Sequence, residues 1–168
     1  MENVSRLTVA QITEMLTEDD IPEEVLSRLR NDSRVTVTRL IDKWQRRKLA
    51  EKKDFARVMN LYRYERSLHA KGFKLVAGVD EAGRGPLAGP VAIGAVILPL
   101  NCHIPLLNDS KKLSPKQRDD LYYSIKEIAL AVSVSIISVE EIDSMNIYQA
   151  TVHGMYQALA GLSPAPDA

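Results

Sequence analysis

The sequence has few of the features expected of a secreted or membrane-spanning protein. Its 168 residues include one cysteine, Cys102, which cannot form a disulfide within the chain and is typical of a reducing cytoplasm. The longest apolar run, residues 91–100, is interrupted by Gly94 and Pro99. It is far shorter than the roughly 20 residues of a membrane helix. The first residues contain no basic segment followed by an apolar core, so no secretory signal is predicted. We therefore expect a cytoplasmic protein, a monomer with no membrane partner.

Charge is distributed unevenly along the chain although the net charge is zero. Residues 1–27 carry one basic and seven acidic side chains, whereas residues 28–74 carry fifteen basic and five acidic ones. The remainder has six basic and ten acidic side chains. The central block, with a net charge of +10, can attract a polyanionic backbone without reading its sequence. The alternative interpretation is a solvated helix face.

The most informative segment reads VAGVDEAGRGPLAGP, over residues 76–90. Residues 74–79 have the pattern of a buried strand, and the carboxylates of Asp80 and Glu81 follow it directly. Carboxylates at the exit of a buried strand are costly unless they are paired or bind a metal. The following Gly83-Arg84-Gly85 allows positive φ angles, so that amides and a guanidinium can reach a phosphate or base edge. This combination predicts phosphodiester chemistry.

The geometry of a strand sets a condition on this interpretation. Successive strand residues point to opposite faces, so Asp80 and Glu81 can share one metal ion only if the strand ends or bulges between them. Gly83 makes such an end plausible. The opposing interpretation is that the pair is simply an exposed strand terminus.

Two nucleotide-binding patterns come close to this segment. Gly78 and Gly83 have the outer spacing of a Walker loop, but Arg84-Gly85 stands where Lys-Ser/Thr belongs. Gly83, Gly85 and Gly89 nearly form a dinucleotide fingerprint, but the spacing is one residue too long and the chain continues as a strand. A nucleotide-binding loop is therefore a weak alternative.

The segment DEAGRG, the strand after it and the later DSKKLS at residues 109–114 together resemble the amino-terminal half of bacterial ribonuclease HII. The resemblance extends from about Lys74 to about Leu162. It implies an endonuclease that hydrolyses the RNA strand of RNA–DNA hybrids, and ribonucleotides embedded in duplex DNA, by two-metal-ion catalysis with Mg²⁺ or Mn²⁺. The resemblance also implies site residues. Asp80 and Glu81 would be two of four acidic metal ligands, and the substrate-binding residues would be Gly83, Arg84, Gly85, Ser110, Lys111 and Lys112.

The resemblance also implies that residues of the family pattern lie beyond this sequence. A central strand with the third acidic ligand would begin near Ser163, where the chain reads SPAPDA. Asp167 has no apolar run before it, so we interpret it as a loop residue rather than a ligand. We therefore expect the 168-residue chain to lack acidic ligands, to be inactive alone and to be poorly folded from Lys74 onward. The alternative function is a catalytically incomplete fragment that only binds nucleic acid.

Hydrophobic spacing predicts a helical basic extension over residues 1–72 and the amino-terminal part of a ribonuclease H-like catalytic domain over residues 73–168. In the extension we expect a helix from Thr8 to about Leu16, a second one capped near Asp20, and a long or once-broken helix from Val35 to about His69. Trp44 lies on the apolar stripe of the long helix, so we expect it in the core rather than stacked on a base, whereas Tyr64 is open to either role.

The second part has the pattern of an α/β fold, a ribonuclease H-like mixed sheet with flanking helices that is incomplete here. Strands are predicted over residues 90–98 and 129–139, with a capped helix beginning at Ser114 between them. A final helix is predicted from Ser138 to about Leu162. Its expected buried side consists of Ile142, Met145, Tyr148, Val152, Tyr156 and Leu159.

Overall fold

A computed structural model describes residues 7–168. Among these residues no helix is both long enough and apolar enough to cross a membrane. The helices and strands, in chain order, are α1 Val9–Met15, α2 Glu23–Arg30, α3 Val35–Leu61, α4 Arg63–Ala70, β1 Ala77–Ala82, β2 Val91–Ile97, α5 Pro115–Ile128, β3 Ala131–Ile137, α6 Val139–Met145 and α7 Ile147–Ala160, with a short 3₁₀ helix at Ser110–Lys112 before α5.

The chain divides into two compact units, one ending at Phe55 and the other beginning at Ala56. We call residues 7–55 the helical unit and residues 56–168 the α/β unit. Helix α3 continues through this division, and α4 belongs to the α/β unit. The compact units therefore do not coincide with the division at residues 72 and 73, which stays a prediction about domains.

The helical unit is built around its own apolar core. Ile12, Leu29 and Val37 are fully buried there, and Trp44 packs against this cluster, so its predicted core position is confirmed. Helix α1 begins at the predicted capping box, in which Thr8 and Gln11 exchange hydrogen bonds. The predicted cap near Asp20 is wrong, because α2 begins after Pro22 with no side-chain cap.

The long basic helix is broken once, as predicted. Helix α3 ends at Leu61, Tyr62 occupies the break, and α4 continues to Ala70. Gly72 follows with a φ of +100°, a conformation that favours glycine and stops the helix. Tyr62 is buried, whereas Tyr64 is exposed and lies under the guanidinium of Arg63.

The α/β unit contains a three-stranded antiparallel sheet in the order β1-β2-β3, with helices beside it. The predicted α/β class with flanking helices is confirmed. Strand β2 is central, and its alternate residues Val91, Ile93, Ala95 and Ile97 are buried on one face. The other face of the sheet leaves large apolar side chains of β3 exposed, including Val134 and Ile136.

Helix α7 covers the buried sheet face through small residues. Ala150 and Ala158 are fully buried, and a Cβ atom added at Gly154 would lie 2.8 Å from Ile137 Cγ1 and even closer to Ile93 Cδ1. The predicted buried side was therefore wrong for its tyrosines, Tyr148 and Tyr156, which are exposed. Close approach of a helix to a sheet requires small side chains, and a search for large apolar residues overlooks them.

The single helix predicted from Ser138 to Leu162 is in fact two helices. Ser138 forms the predicted capping box with Glu141, but α6 ends at Met145. Asn146 then adopts a φ of +77°, and its side chain accepts hydrogen bonds from the amides of Tyr148 and Gln149 at the start of α7. Asparagine tolerates this conformation better than most residues, which explains a break without glycine or proline.

Candidate active site

The two candidate metal ligands lie inside strand β1 rather than after it. The strand continues to Ala82, and its register with β2 is regular, with Asp80 opposite Gly94 and Glu81 opposite Ile93. The predicted strand end at Val79 was therefore wrong, and no bulge separates the carboxylates. In a regular strand the two side chains point to opposite faces of the sheet.

Strand β1 is also more exposed than predicted. It has β2 on one side only among the strands of residues 7–168, and Val79 keeps 37% of its surface exposed. Asp80 is exposed, and its Oδ1 accepts a hydrogen bond from the Glu81 amide at 2.9 Å. The predicted cost of desolvating Asp80 therefore does not apply in this structure. The case for Asp80 as a metal ligand depends instead on the residues around it.

Glu81 connects the strand to the glycine-arginine turn. Its side chain is 21% exposed, and its Oε1 accepts a hydrogen bond from Arg84 Nη1 at 3.4 Å. The turn itself requires Gly83, which has a φ of +96° and whose added Cβ would lie 2.5 Å from the Pro90 carbonyl oxygen. Gly85 shows neither constraint, because nothing lies within 4 Å of its added Cβ. The predicted positive φ and close approach are thus found at Gly83.

The second candidate segment is a separate turn between β2 and α5. We call Asp109–Lys112 the lysine turn. Asp109 caps it, because its Oδ1 accepts a hydrogen bond from the Lys111 amide at 2.9 Å, while its carbonyl accepts one from the Lys112 amide at 2.9 Å. Ser110, Lys111 and Lys112 are exposed. In the part of the chain that the structure covers, neither lysine ammonium group is hydrogen-bonded to protein.

The structure brings some of the candidate residues together and leaves others apart. Asp80 accepts a hydrogen bond from the Glu81 amide, and the Glu81 side chain accepts one from Arg84. Between residues 7 and 168, no hydrogen bond or ion pair joins them to the lysine turn. Over the same range, no group of three or more Asp, Glu, His or Cys side chains could hold a metal ion. The acidic part of the site therefore consists of two carboxylates here.

Asp167 lies in a loop, in agreement with its interpretation from the sequence. Its carboxylate accepts hydrogen bonds from the backbone amides of Lys74 and Leu75, and the Ala77 amide donates to the Ala168 carbonyl at 2.8 Å. The hydrogen bond from Lys74 is the main cause that lowers the pKa of Asp167. This carboxylate therefore fixes the chain just before β1.

Sequence reasoning missed the residues that hold the lysine turn. Arg57 Nη1 donates a hydrogen bond to the Leu107 carbonyl at 2.6 Å, and Arg118 Nη1 donates to the Leu113 carbonyl at 2.8 Å. Arg118 lies four residues after the helix cap Ser114, which could have suggested that it reaches back over the turn. Nothing in the sequence around Arg57 indicates its partner, which lies 50 residues away.

Two protein-family models match this chain. The model described as ribonuclease HII matches residues 77–168, and the ribonuclease HII N-terminal domain matches residues 8–69. The first match covers more than half of the chain. The chain belongs to the ribonuclease HII family, and the resemblance noted from its sequence is confirmed.

Two curated relatives agree with this assignment. The chain is 49% identical over 139 residues to ribonuclease HII of Geobacillus thermodenitrificans, covering 83% of this chain and 54% of the relative. It is 44% identical over 165 residues to ribonuclease HII of Bacillus subtilis, covering 98% of this chain and 65% of the relative. A crystal structure of ribonuclease H2 from Pyrococcus horikoshii matches with a TM-score of 0.46 and 31% identity, over 54% of this chain and 46% of that one. The chain thus spans between about half and two thirds of the length of these curated relatives.

Proposed function

We propose that this protein is an endonuclease that hydrolyses the RNA strand of RNA–DNA hybrids and cuts duplex DNA at embedded ribonucleotides. The observation that carries the proposal is the adjacent pair Asp80 and Glu81 on β1, followed by the turn that Gly83 requires and by Arg84. Family membership supports the reaction type, and the exposed position of this segment leaves it accessible to a duplex.

We propose that Asp80 and Glu81 hold Mg²⁺ or Mn²⁺. Both are oxygen donors, and Mg²⁺ is commonly bound by one or two carboxylates together with substrate phosphates, so the donor types present fit such an ion. Because their side chains point to opposite faces of the regular strand, a single shared ion would require β1 to end or bulge between them. Asp80 is exposed, and among residues 7–168 only its Oδ1 accepts a hydrogen bond from protein, which leaves its other oxygen available. A divalent metal held there would supply an activated water and charge stabilisation at the phosphate.

The remaining candidate residues would bind the substrate. Arg84 carries a fork of donors suited to a phosphate or a base edge, and its 3.4 Å contact with Glu81 is long enough to be exchanged for a substrate contact. The amides of Gly83 and Gly85 can approach a 2′-hydroxyl, the group that distinguishes RNA from DNA. In the lysine turn, Ser110, Lys111 and Lys112 would contact the phosphate backbone.

We further propose that the protein acts in the cytoplasm as a monomer. Cys102, the single cysteine, agrees with a reducing compartment. The alternative function is nucleic-acid binding without cleavage. The basic block of residues 28–74 favours this alternative, because its charge can bind a duplex whether or not the metal site is complete.

The experiment is incubation of the purified protein with duplex DNA containing one ribonucleotide, in Mg²⁺, in Mn²⁺ and in excess chelator. We expect a single metal-dependent incision, absent from an all-DNA duplex, when this sequence is part of a protein as long as its curated relatives, and no incision by the 168-residue chain alone. Binding of the duplex without incision in either metal would support the alternative. Incision that persists in chelator would contradict a metal role for Asp80 and Glu81.

A further inference from the structure

Arginine side chains donate hydrogen bonds to backbone carbonyls on both sides of the lysine turn. Upstream, Arg57 Nη1 lies 2.6 Å from the Leu107 carbonyl oxygen. Downstream, Arg118 Nη1 lies 2.8 Å from the Leu113 carbonyl oxygen and 3.3 Å from that of Ser110. Arg57 comes from α3 and Arg118 from α5, so two helices fix the turn from opposite directions along the chain.

The segment between β2 and the lysine turn requires such support. Asn101 and Leu106 have φ angles of 59° and 63°, a left-handed conformation that residues other than glycine rarely adopt. Arg66 Nε donates to Asn101 Oδ1 at 2.7 Å, and the Tyr62 hydroxyl lies 2.8 Å from Cys102 Sγ. Helices α3 and α4 therefore contact this segment at both strained positions or beside them.

The arginines and the lysines of this region make different contacts. The guanidinium groups of Arg57 and Arg118 are directed to backbone carbonyls, whereas Lys111 and Lys112 are exposed and their ammonium groups make no protein hydrogen bond within residues 7–168. A turn whose backbone is fixed presents its side chains at a lower entropic cost on binding. The two arginines thus hold the lysine turn, and the turn exposes its two lysines to solvent.

We propose that Arg57 and Arg118 are positioning residues, which fix the lysine turn so that Lys111 and Lys112 meet the phosphate backbone of a nucleic-acid duplex. The arginines act through the turn and not on the substrate. The choice of substrate rests on the proposed function, whereas the fixing of the turn can be tested without any substrate.

The first measurement is amide hydrogen exchange by NMR in Arg57→Ala, Arg118→Ala and the control Arg63→Ala. Arg63 lies in α4 and, among residues 7–168, its guanidinium group has its neighbour Tyr64 as its one hydrogen-bond and cation–π partner, so its loss removes the same charge without touching the lysine turn. We expect the Lys111 and Lys112 amides to exchange about tenfold faster in the first two variants and unchanged in the control. Amides of β2 should keep their protection, which shows that the fold is intact. Unchanged exchange at both lysines in an intact fold would overturn the proposal.

The second measurement is the affinity for an RNA–DNA hybrid, by fluorescence anisotropy. Arg57→Ala and Arg118→Ala should each weaken binding about five- to tenfold, and Arg57→Lys, which keeps one donor, should recover most of the loss. In a background that carries Lys111→Ala and Lys112→Ala, the same arginine substitutions should have almost no further effect. Arg63→Ala should add its effect independently of the lysines.

The outcomes separate the two hypotheses. Losses at Arg57 and Arg118 that add fully to those of the lysines would mean direct phosphate contacts and would overturn the positioning role. A wild-type protein that does not bind the hybrid would contradict the proposed function. In that case the exchange measurement alone decides whether the arginines fix the turn.

Discussion

The helical unit and the α/β unit differ in how completely they bury their apolar residues. In the helical unit the apolar residues close a core among themselves, and the basic residues are left on the surface. In the α/β unit one sheet face is closed by α7, while the opposite face and the edge strand β1 stay exposed. The candidate metal ligands, Asp80 and Glu81, lie on this edge strand. The comparison indicates that the first unit contributes a closed core with surface charge, whereas the candidate site lies in the second unit.

The strongest test of this comparison is Asp80→Asn in a protein that contains this sequence and is as long as its curated relatives, because the 168-residue chain alone is expected to be inactive. The substitution removes a proposed metal ligand but no proposed phosphate contact, so cleavage should fall by about a thousandfold or more while duplex affinity stays nearly unchanged. The measurement is single-turnover cleavage of a ribonucleotide-containing duplex in Mg²⁺, with anisotropy for binding. Asp119→Asn, on the exposed surface of α5, is the matched control and should cleave normally. Near wild-type cleavage by Asp80→Asn would remove this residue from the site.

The next largest effect concerns the contact of α7 with the sheet. Gly154→Leu should cost about 2 kcal/mol of unfolding free energy, because the new side chain has to displace Ile93 and Ile137 and helix propensity repays only part of this. Ala160→Leu places the same side chain on an exposed position of α7 and should be nearly neutral.

Urea denaturation can assign this loss to one unit. Trp44, the single tryptophan, reports on the helical unit by its fluorescence, while far-ultraviolet circular dichroism reports on both units. We expect the Trp44 transition to keep its midpoint in Gly154→Leu. An equal shift of both signals would show that the two units unfold together, and the comparison drawn above would then not hold for stability.

Local signals allowed much of this fold to be predicted from the sequence. The capping boxes at Thr8, Ser114 and Ser138 are all present, because each depends on residues only three positions apart. The α/β class and the broken basic helix also follow from spacing alone. The strand that carries Asp80 was predicted to end too early, because its end depends on pairing with β2 rather than on its own residues.

The sequence did not predict features that depend on tertiary contacts. The break at Asn146 needs a positive φ, which asparagine tolerates but which its presence in the sequence does not predict. The buried side of α7 is set by Gly154 and by the sheet against which it packs. The support of the lysine turn by Arg57 depends on a carbonyl far away in the chain, and no spacing rule contains that information. For the candidate site, the sequence identified the acidic pair Asp80 and Glu81, but not the hydrogen bonds that support the lysine turn.

A smaller effect should follow from neutralising part of the basic surface. Arg46, Lys52 and Lys53 are exposed on α3, and their combined replacement by Gln should weaken duplex binding about tenfold near 0.15 M salt. The slope of log affinity against log salt should fall by up to about 2.7, because three counterions fewer are released. A variant that exchanges Arg and Lys at these positions keeps the charge and serves as the control. An unchanged slope would mean that this charge is only a solvated helix face.

Arg84→Ala should have a modest effect that concerns selectivity. If the turn recognises the 2′-hydroxyl, the ratio of affinities for a ribonucleotide-containing and an all-DNA duplex should fall about fivefold. Arg84→Lys retains the charge without the planar fork and should recover affinity more than selectivity. Equal losses on both duplexes would indicate generic phosphate binding by Arg84.

The smallest expected effect concerns the acid stability of the helical unit. Asp32 has a pKa of about 2, lowered because the side chain and the amide of Arg34 donate hydrogen bonds to its carboxylate. A carboxylate with a depressed folded-state pKa stabilises the fold fully above its unfolded value of about 4, and this contribution is lost as the pH falls toward 2. The thermal midpoint followed by Trp44 fluorescence should therefore decrease between pH 5 and pH 2.5 by less in Asp32→Asn than in wild type, since Asn cannot be protonated there. Asp20→Asn, which removes an exposed carboxylate with no hydrogen bond in the described chain, should retain the wild-type decrease. If both variants follow the wild-type curve, the Asp32–Arg34 pair does not contribute to the acid stability of the helical unit.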